Sequence, residues 1–301
     1  MSEESVIFAG SRQFQVPGDA DAPPLSALLH YPTTQPAAPT RFGPYELDVS
    51  PEAPLAPGRL PLVLISHGSG GSPLLYRTLS LALARSGYLV VLPWHPGNSL
   101  GDDALANTTA NLRNRPLQLS RLLTALLADA ALGQSIAHEP VTAIGHSMGG
   151  YAVLCLAGGE PWTRDREHIE VPHDARLGAL VLMAPACGFF LAPRALQAVT
   201  VPILALTAQH DALTPDAQVR AALAGVPDSS RVTIHTVPNA GHFSFLSPFP
   251  RAMHSPQFAP AQDPSGFDRG GFHQLLPEIV LQWIGERRGE QRAGAAAVGS
   301  L

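Results

Sequence analysis

From residue 60 onward, short apolar runs alternate with amphipathic stretches. The apolar runs predict strands at Leu60–Ser66, Tyr88–Trp94, Val141–His146, Leu177–Ala184, Val201–Thr207 and Val232–Val237. Between them, apolar residues recur at spacings of three and four, which predicts helices at Leu74–Ser86, Leu112–Leu132, Met148–Leu156, Asp216–Leu223 and Phe272–Arg287. The second helix is also compatible with a start at Pro116, which falls inside it. This alternation predicts an α/β fold with a mostly parallel central sheet flanked by helices.

The residues before this alternation follow a different pattern. Leu25–Tyr31 and Tyr45–Val49 are apolar or alternating and flank a proline-rich stretch at 32–44, which predicts an N-terminal antiparallel edge hairpin on the same sheet. We therefore expect one domain over residues 1–288 and a flexible tail over 289–301. Two long connections, at 157–176 and 243–270, are candidate cap segments over a pocket. We expect the charged residues of the first, Arg164 to Glu167, to be solvated cap surface.

Composition argues against several mechanisms and partners. The basic residues number 19 and all are arginine, so a lysine Schiff base, a phosphate-loop lysine and a Ser-Lys dyad are excluded. The net charge of −5, with no basic run longer than Arg287–Arg288, argues against nucleic acid or an anionic membrane as a partner. Cys155 and Cys187 are expected to be ordinary unpaired thiols. Asp102 and Asp103 lack nearby histidine or cysteine partners, so no metal is assigned.

Localisation follows from what the N-terminal residues lack. They carry acids where a secretory signal would carry bases, and no apolar stretch of signal length follows. No segment reaches the roughly 18 apolar residues of a membrane-spanning helix. We expect a cytoplasmic protein without membrane insertion, and the sequence leaves its oligomeric state open.

The strongest chemical signal is Gly145-His146-Ser147-Met148-Gly149-Gly150. It satisfies the pattern G-x-S-x-G between a predicted strand and a predicted helix, the context in which a serine hydroxyl is exposed on a strained turn. The bland alternative is a glycine-rich packing turn. The context favours Ser147 as a nucleophile.

A serine needs a base, and the base needs an orienting acid. His242 follows the last predicted strand with a glycine beside it, whereas His210, His235, His254 and His273 lack this combination of position and neighbour. Asp211 follows the preceding strand. Its rival Asp216 is better explained as a first-turn helix residue. We predict the triad Ser147, Asp211 and His242.

An oxyanion also needs preorganised N–H donors. Met148, directly after the nucleophile and at a helix N-terminus, supplies one candidate. The loop His67-Gly68-Ser69-Gly70-Gly71-Ser72 supplies the second, which we assign to Ser69, with Gly70 as the alternative. This loop lacks the lysine pattern of a phosphate cradle.

The sequence resembles the α/β-hydrolase superfamily, and within it the dienelactone-hydrolase-like and platelet-activating-factor-acetylhydrolase-like serine esterases. The resemblance covers roughly residues 25–284, where the motif order Ser147, Asp211, His242 is that of the family. It also rests on five shorter motifs: Leu28-Leu29-His30-Tyr31-Pro32, Ser66-His67-Gly68, Gly87-Tyr88, His95-Pro96-Gly97-Asn98-Ser99 and Gly241-His242-Phe243. It implies the α/β-hydrolase fold, the triad and oxyanion residues named above, and hydrolysis of a carboxylic ester. One departure is that dienelactone hydrolases use a cysteine nucleophile where this chain has Ser147, which argues against activity on dienelactone.

The expected partner is a small-molecule ester or acyl substrate, and the mechanism needs no cofactor. Residues near the carboxyl ends of the strands are candidates for lining the pocket: Gly68, Gly70, Trp94, His146, Phe189, Phe190 and Phe243. Two alternatives remain open. The same triad could serve an acyltransferase, thioesterase or cyclase in a biosynthetic pathway, or the fold could be a non-catalytic ligand-binding protein.

Overall fold

Ten strands form one sheet in the computed structural model, which describes residues 7–20 and 22–298 and the side chains up to residue 289. In chain order the strands are β1 (Phe8–Val16), β2 (Leu25–Thr33), β3 (Ala38–Phe42), β4 (Tyr45–Pro51), β5 (Leu62–Ser66), β6 (Leu89–Pro93), β7 (Val141–His146), β8 (Leu177–Met183), β9 (Ile203–Ala208) and β10 (Val232–Val237). The α-helices are α1 (Arg77–Arg85), α2 (Thr109–Ala128), α3 (Met148–Leu156), α4 (Asp216–Leu223) and α5 (Arg269–Val298).

The strands from β5 to β10 form the parallel part of the sheet. The order across the sheet is β10-β9-β8-β7-β5-β6-β2-β1-β4-β3, and each pair from β10 to β6 is parallel. These strands are the predicted ones, with ends that differ by one or two residues. The predicted α/β class with a mostly parallel sheet is therefore confirmed. Because parallel strands end at the same edge, the loops after β5, β7, β9 and β10 meet there.

The N-terminal strands pair differently from the prediction. An antiparallel hairpin does form the edge, but it consists of β3 and β4, paired from Ala38–Val49 to Phe42–Tyr45. The two segments predicted to pair, β2 and β4, are separated by β1, which is antiparallel to β2 and parallel to β4. The sequence missed β1 because its serine, arginine and glutamines interrupt any apolar run. It missed β3 because proline-rich segments are read as loops.

Helices cover both faces of the sheet. On one face, leucines of α2 pack with α3 and α4, and on the other face α1 packs with α5. α2 begins at Thr109, capped by the Thr108 side chain, and continues through Pro116. Proline leaves the carbonyl four residues earlier without its helical partner. The Tyr151 hydroxyl donates to that Leu112 carbonyl at 3.2 Å, which explains why α2 does not have to start at Pro116.

The last helix runs to Val298, beyond the end expected near Arg287. The backbone of residues 289–298, expected to belong to a flexible tail, is helical, and residues 299–301 lie outside the described part. Cys155 and Cys187 are buried and unpaired, as predicted. Among the described residues, no helix is long and apolar enough to cross a membrane.

Candidate active site

Ser147 lies on the tight turn between β7 and α3. Its backbone has φ 53° and ψ −119°, a region that side chains rarely adopt. Two nearby positions must be glycine, because a side chain there would clash with backbone atoms. A Cβ at Gly149 would lie 1.9 Å from the Ser66 carbonyl oxygen, and a Cβ at Gly145 would lie 2.4 Å from the Gly149 carbonyl oxygen. The turn therefore holds Ser147 at the carboxyl edge of the sheet, at the start of α3.

The three predicted triad residues are brought together in one line. Ser147 Oγ lies 3.0 Å from His242 Nε2, and His242 Nδ1 lies 2.8 Å from Asp211 Oδ2. A carboxylate only accepts hydrogen bonds, so His242 donates through Nδ1 and its Nε2 is left to accept the Ser147 hydroxyl proton. This is the arrangement that a serine nucleophile and its base require.

Asp211 is held as an ionised carboxylate. Burial by itself would raise its pKa, but hydrogen bonds from His242 and Thr214 outweigh burial and lower the pKa to about 2. The backbone amides of Leu213 and Thr214 each donate to Oδ1 at 2.8 Å, and the Thr214 hydroxyl lies 2.7 Å from Oδ2. At neutral pH the negative charge therefore faces His242.

The rival acid and histidines are used elsewhere. Asp216 accepts hydrogen bonds from Thr207 and Arg220 at 2.5 and 2.7 Å. His254 and His273 bond to backbone carbonyls of the loop after β10. Within the described residues, none of these groups bonds to Ser147 or Asp211, and neither does His210 or His235.

His146 lies beneath the triad and links two loops. Its Nε2 donates to the His242 carbonyl at 3.0 Å, so its Nδ1 accepts from the Tyr76 hydroxyl at 2.9 Å. Tyr76 in turn accepts the Gly68 N–H at 3.2 Å. Burial lowers the pKa of His146 to about 3, which keeps the ring neutral and this direction of donation fixed. The oxyanion loop and the His242 loop are thereby tied together.

The two predicted oxyanion donors line the same cavity. Ser69 and Met148 both border a cavity of about 490 Å³, and within the described part of the chain their backbone N–H groups have no hydrogen-bond partner. Gly68 packs closely here, because a Cβ on it would lie 3.2 Å from Ser147 Cβ. Gly70, the alternative donor, has φ +61° and lies beside Asp103.

Of the other predicted pocket residues, only Phe189 lines this cavity. Phe243 packs edge-on against the His242 ring at 5.2 Å. Phe190 and His146 are each only 2% exposed, and neither borders this cavity. Trp94 is half-buried and packs into the apolar layer beneath α1 and α5. Phe190 and Trp94 pack against the two apolar layers of the core.

The charged segment of the loop 157–176 is solvated, as expected, and it also borders the cavity. Arg164, Asp165 and Glu167 are exposed, and they also line the cavity beside Ser69 and Met148. The second long loop, after His242, contributes no residue to this cavity in the described structure. A larger groove of about 620 Å³, between β10 and α5, contains none of the predicted site residues.

Sequence reasoning missed several polar residues that support the site. Thr214 lies three residues after Asp211, a spacing at which a side chain commonly bonds its acidic neighbour. Arg115 occupies a buried position of α2, between Leu112 and Leu119 on the apolar stripe. A lone arginine at such a position was a detectable signal. Tyr76 had no comparable signal, because its role depends on contacts between distant segments.

Comparisons with known proteins agree with the fold. The family model of platelet-activating factor acetylhydrolase, isoform II, matches residues 30–118, which include the oxyanion loop but not Ser147, Asp211 or His242. A solved structure, the ferulic acid esterase from Streptomyces cinnamoneus, is similar with a TM-score of 0.69 and 20% identity, and covers 93% of this chain and 89% of that chain. No curated protein matches the sequence.

The fold is that of the α/β hydrolases, as the resemblance predicted. The likeness to platelet-activating factor acetylhydrolase, isoform II, is confined to residues 30–118, and the likeness to the ferulic acid esterase is one of fold. Among the described residues, no group of three or more histidine, cysteine or acidic side chains is placed to hold a metal.

Proposed function

We propose that this protein hydrolyses a carboxylic ester through an acyl-enzyme formed on Ser147. The observation that carries the proposal is the continuous line from Ser147 Oγ to His242 Nε2 at 3.0 Å and from His242 Nδ1 to Asp211 Oδ2 at 2.8 Å. A hydroxyl within reach of an unprotonated imidazole nitrogen can lose its proton as it attacks a carbonyl carbon.

In the first step, Ser147 Oγ bonds to the ester carbon while His242 Nε2 takes the hydroxyl proton. The carbonyl oxygen becomes an oxyanion, which the N–H groups of Ser69 and Met148 stabilise. The carbon–oxygen bond to the alcohol then breaks, and His242 returns the proton to the leaving alcohol. Asp211 stabilises the imidazolium throughout.

In the second step, water attacks the acyl-enzyme. His242 takes a proton from that water, the second tetrahedral intermediate collapses, and the acid leaves as Ser147 Oγ regains its proton. The proposed mechanism uses only side chains and backbone groups of one domain, and no cofactor. We also propose that the loop 157–176 forms part of the cap, because it lines the cavity beside the oxyanion donors.

A fluorophosphonate probe tests this assignment. We expect it to label Ser147 in the wild-type protein, and we expect Ser147→Ala to lose both labelling and turnover of short p-nitrophenyl esters, by about 10⁵-fold or more. Ser230→Ala, at an exposed serine beside Asp228, is the control and keeps both. An unlabelled wild-type protein would remove the proposal, and so would activity that survives Ser147→Ala.

Product analysis separates hydrolysis from acyl transfer. The same turnover is measured with methyl ferulate, because a ferulic acid esterase shares the fold, and in the presence of added alcohol or amine acceptors. A hydrolase releases free acid in every case. If the acyl group passes to an acceptor in preference to water, the protein is an acyltransferase that uses the same triad.

A further inference from the structure

The cavity of about 490 Å³ borders Met148, the residue next to Ser147, although Ser147 itself is not among its lining residues in the described structure. In the proposed mechanism, the leaving alcohol must face His242, which protonates it, and the carbonyl oxygen must face Ser69 and Met148. Ser69 and Met148 line the cavity, whereas His242 and Phe243 are not among its lining residues in the described structure. The cavity therefore receives the acyl part of the ester.

Nine of the twelve residues that line this cavity are polar or charged. Three lining residues are apolar, and the uncharged polar side chains near the start of α2 and in the facing loop are Asn107, Thr108, Thr109, Asn111 and Thr163. Thr108, Asn111 and Thr163 already bond within the protein. An alkyl chain that covers Asn107 and Thr109 removes the water of their side chains without replacing its hydrogen bonds. An acyl group that carries its own hydroxyl or amide groups can replace them.

The charged residues of the cavity wall limit the charge that the acyl group can carry. The loop 157–176 adds one positive side chain, Arg164, and two negative ones, Asp165 and Glu167. An anionic acyl group would meet a net negative wall, and opposed charge is the usual means by which a site rejects a wrong ligand.

We propose that the natural substrate has an uncharged, polar acyl group, bearing hydroxyl or amide groups, that binds between the start of α2 and the loop 157–176. This inference rests on the proposed function, because it takes Ser147 as the attacking group. It goes beyond that function by assigning the chemical class of the acyl part.

A matched pair of esters tests the class. p-Nitrophenyl 6-hydroxyhexanoate and heptanoate differ by a terminal hydroxyl in place of a methyl group, and we expect kcat/KM to be about tenfold higher for the hydroxylated ester. An apolar pocket would instead raise kcat/KM by about fourfold for each methylene from acetate to octanoate. Such a rise, or a preference for heptanoate, would overturn the inference while leaving the proposed function intact. Absence of both turnover and Ser147 labelling would remove the proposed function itself.

A charge-neutralising variant tests the placement of the acyl group. The double variant Asp165→Asn, Glu167→Gln is expected to raise kcat/KM on the anionic monoester p-nitrophenyl adipate by about three- to tenfold. Its kcat/KM on the 6-hydroxyhexanoate is expected to stay within about twofold of the wild-type value. Glu170→Gln, at an exposed acid of the same loop that does not line the cavity, is the matched control. Equal effects of the control and the double variant would show that the acyl group does not meet this wall.

A separate observation concerns a buried cation beneath the oxyanion loop. The Arg115 side chain is fully buried, with one guanidinium nitrogen 2.6 Å from Asn98 Oδ1 and the other donating to the His67 carbonyl. Burial lowers its pKa to about 9, so it stays charged at neutral pH. In the described structure no carboxylate accepts a hydrogen bond from it.

Asn98 connects Arg115 to Ser69 through hydrogen bonds. Its Oδ1 accepts from Arg115 and from Asn111 at 2.9 Å, and its Nδ2 donates to Ser69 Oγ at 3.0 Å and to Asp103 Oδ1 at 2.5 Å. Both amide hydrogens and the amide oxygen are therefore used, which leaves the side chain one orientation. The Ser69 hydroxyl is held by a group that Arg115 holds in turn.

We infer that Arg115 and Asn98 are positioning residues that fix the oxyanion donor of Ser69 and place a positive charge behind it. A buried cation that is not directly paired is costly unless its field acts on a negative charge, and the oxyanion is the negative charge that develops nearby. This second inference also rests on the proposed function, and it is independent of the acyl class.

Asn98→Asp tests this role, because it keeps the shape and the contact to Arg115 but removes both amide donors. We expect kcat to fall by about 10- to 100-fold with KM within about twofold, since misplacement by about 1 Å can lower the rate 100-fold. The rate of Ser147 labelling by the fluorophosphonate is expected to fall in parallel. Asn114→Asp, on the helix α2 that carries Arg115, is the control.

Two further variants keep the test decisive. Arg115→Lys retains the charge without the two-pronged contact, and Ser69→Ala removes only the hydroxyl that Asn98 holds while leaving the backbone N–H. Both are expected to lower kcat more than KM rises. A folded Asn98→Asp protein with normal kcat and normal labelling would overturn the inference, even if its melting temperature were lower.

Discussion

The two sides of Ser147 are held by different kinds of contact. On the triad side, His242 faces an ionised carboxylate that is bound by two backbone amides and a hydroxyl. On the oxyanion side, the loop after β5 rests on neutral buried histidines, Tyr76 and the charged Arg115. The triad side is thus a short line of local contacts, and the oxyanion side is a network through the interior of the molecule.

Because of this difference, substitutions on the two sides are expected to affect rate and stability differently. We expect a change that reverses the proton-accepting nitrogen on the triad side to lower the rate strongly and to leave stability nearly unchanged. A change on the oxyanion side acts on the backbone N–H donors through the buried side chains that support them. We therefore expect a smaller effect on rate, accompanied by a loss of stability. The predictions below test that contrast in order of expected size.

The largest effect is expected for Asp211→Asn. Two backbone amides donate to Oδ1, so the asparagine oxygen stays there and its NH₂ group faces His242 Nδ1. His242 must then accept at Nδ1 and carry its proton on Nε2, where it cannot take the proton of Ser147. We expect kcat to fall by about 10⁴-fold, as for the corresponding change in serine proteases, with the melting temperature nearly unchanged. A loss below tenfold would show that Asp211 does not orient the base.

On the oxyanion side, Tyr76→Phe is expected to have an intermediate effect. The change removes the acceptor of the Gly68 N–H and the donor to His146, and leaves both groups buried without a partner. We expect kcat to fall about 10- to 30-fold and unfolding free energy to fall by about 1–3 kcal/mol. Steady-state kinetics and chemical denaturation measure the two effects. A rate loss without a stability loss would contradict the contrast drawn above.

Thr214→Val tests the triad side with a milder change. Valine keeps the shape but removes the hydroxyl that lies 2.7 Å from Asp211 Oδ2 and 3.2 Å from His242 Nδ1. The carboxylate keeps its two backbone donors and His242, so we expect kcat to fall only about three- to tenfold. The pKa of Asp211 is expected to rise, because one group that lowers it is removed. Unchanged kcat would show that the amides alone hold the carboxylate.

No change in rate is expected from the last prediction, which concerns the pH dependence of stability. Burial lowers the pKa of His67 to about 3, so below the ordinary histidine pKa of 6.5 the unfolded chain takes up a proton that the folded chain does not. Stability from this group is complete above pH 6.5 and declines as pH falls towards 3, by about 1.4 kcal/mol per pH unit. Asp211, with its pKa lowered to about 2, loses its contribution only below the ordinary value of 3.8.

Thermal melts between pH 8 and 4 measure this dependence. We expect stability to decline as the pH falls below about 6.5. His67→Asn is expected to reduce the slope of this decline by an amount that corresponds to about one bound proton. The exposed His210→Asn is the control and leaves the slope unchanged. A wild-type protein with constant stability from pH 6.5 to 4.5 would contradict the burial of neutral histidines on the oxyanion side.

Much of the triad side was predictable from the sequence, because each residue carries a local signal. Ser147 is marked by glycines that the tight turn requires, and His242 and Asp211 each follow an apolar strand. Strands that run in parallel end at one edge, so residues far apart in sequence could be predicted to meet. Thr214 was missed although it is close to Asp211, since its hydroxyl has several possible partners.

The oxyanion side was less predictable. The glycine-rich loop identified Ser69, but the contacts that hold it come from Asn98 and Arg115, which lie on other segments. The apolar pattern of α2 disfavours a charged side chain at position 115. The folded structure explains the arginine there, because Asn98 and the His67 carbonyl accept its hydrogen bonds. Phe190 and His146 are buried and do not border the cavity beside Ser69. A position after a strand does not say whether a side chain faces a cavity or the core.

The sequence by itself determined the parallel sheet and the strand–turn–helix at Ser147, because periodicity, glycine sterics and strand direction are local properties of the chain. Tertiary structure alone decided which N-terminal strands pair, why α2 tolerates Pro116, which residues line the cavity beside Ser69 and which groups contact Arg115. Each of these depends on the partner of a buried polar group or strand edge. That partner comes from a distant segment whose approach only the folded chain defines.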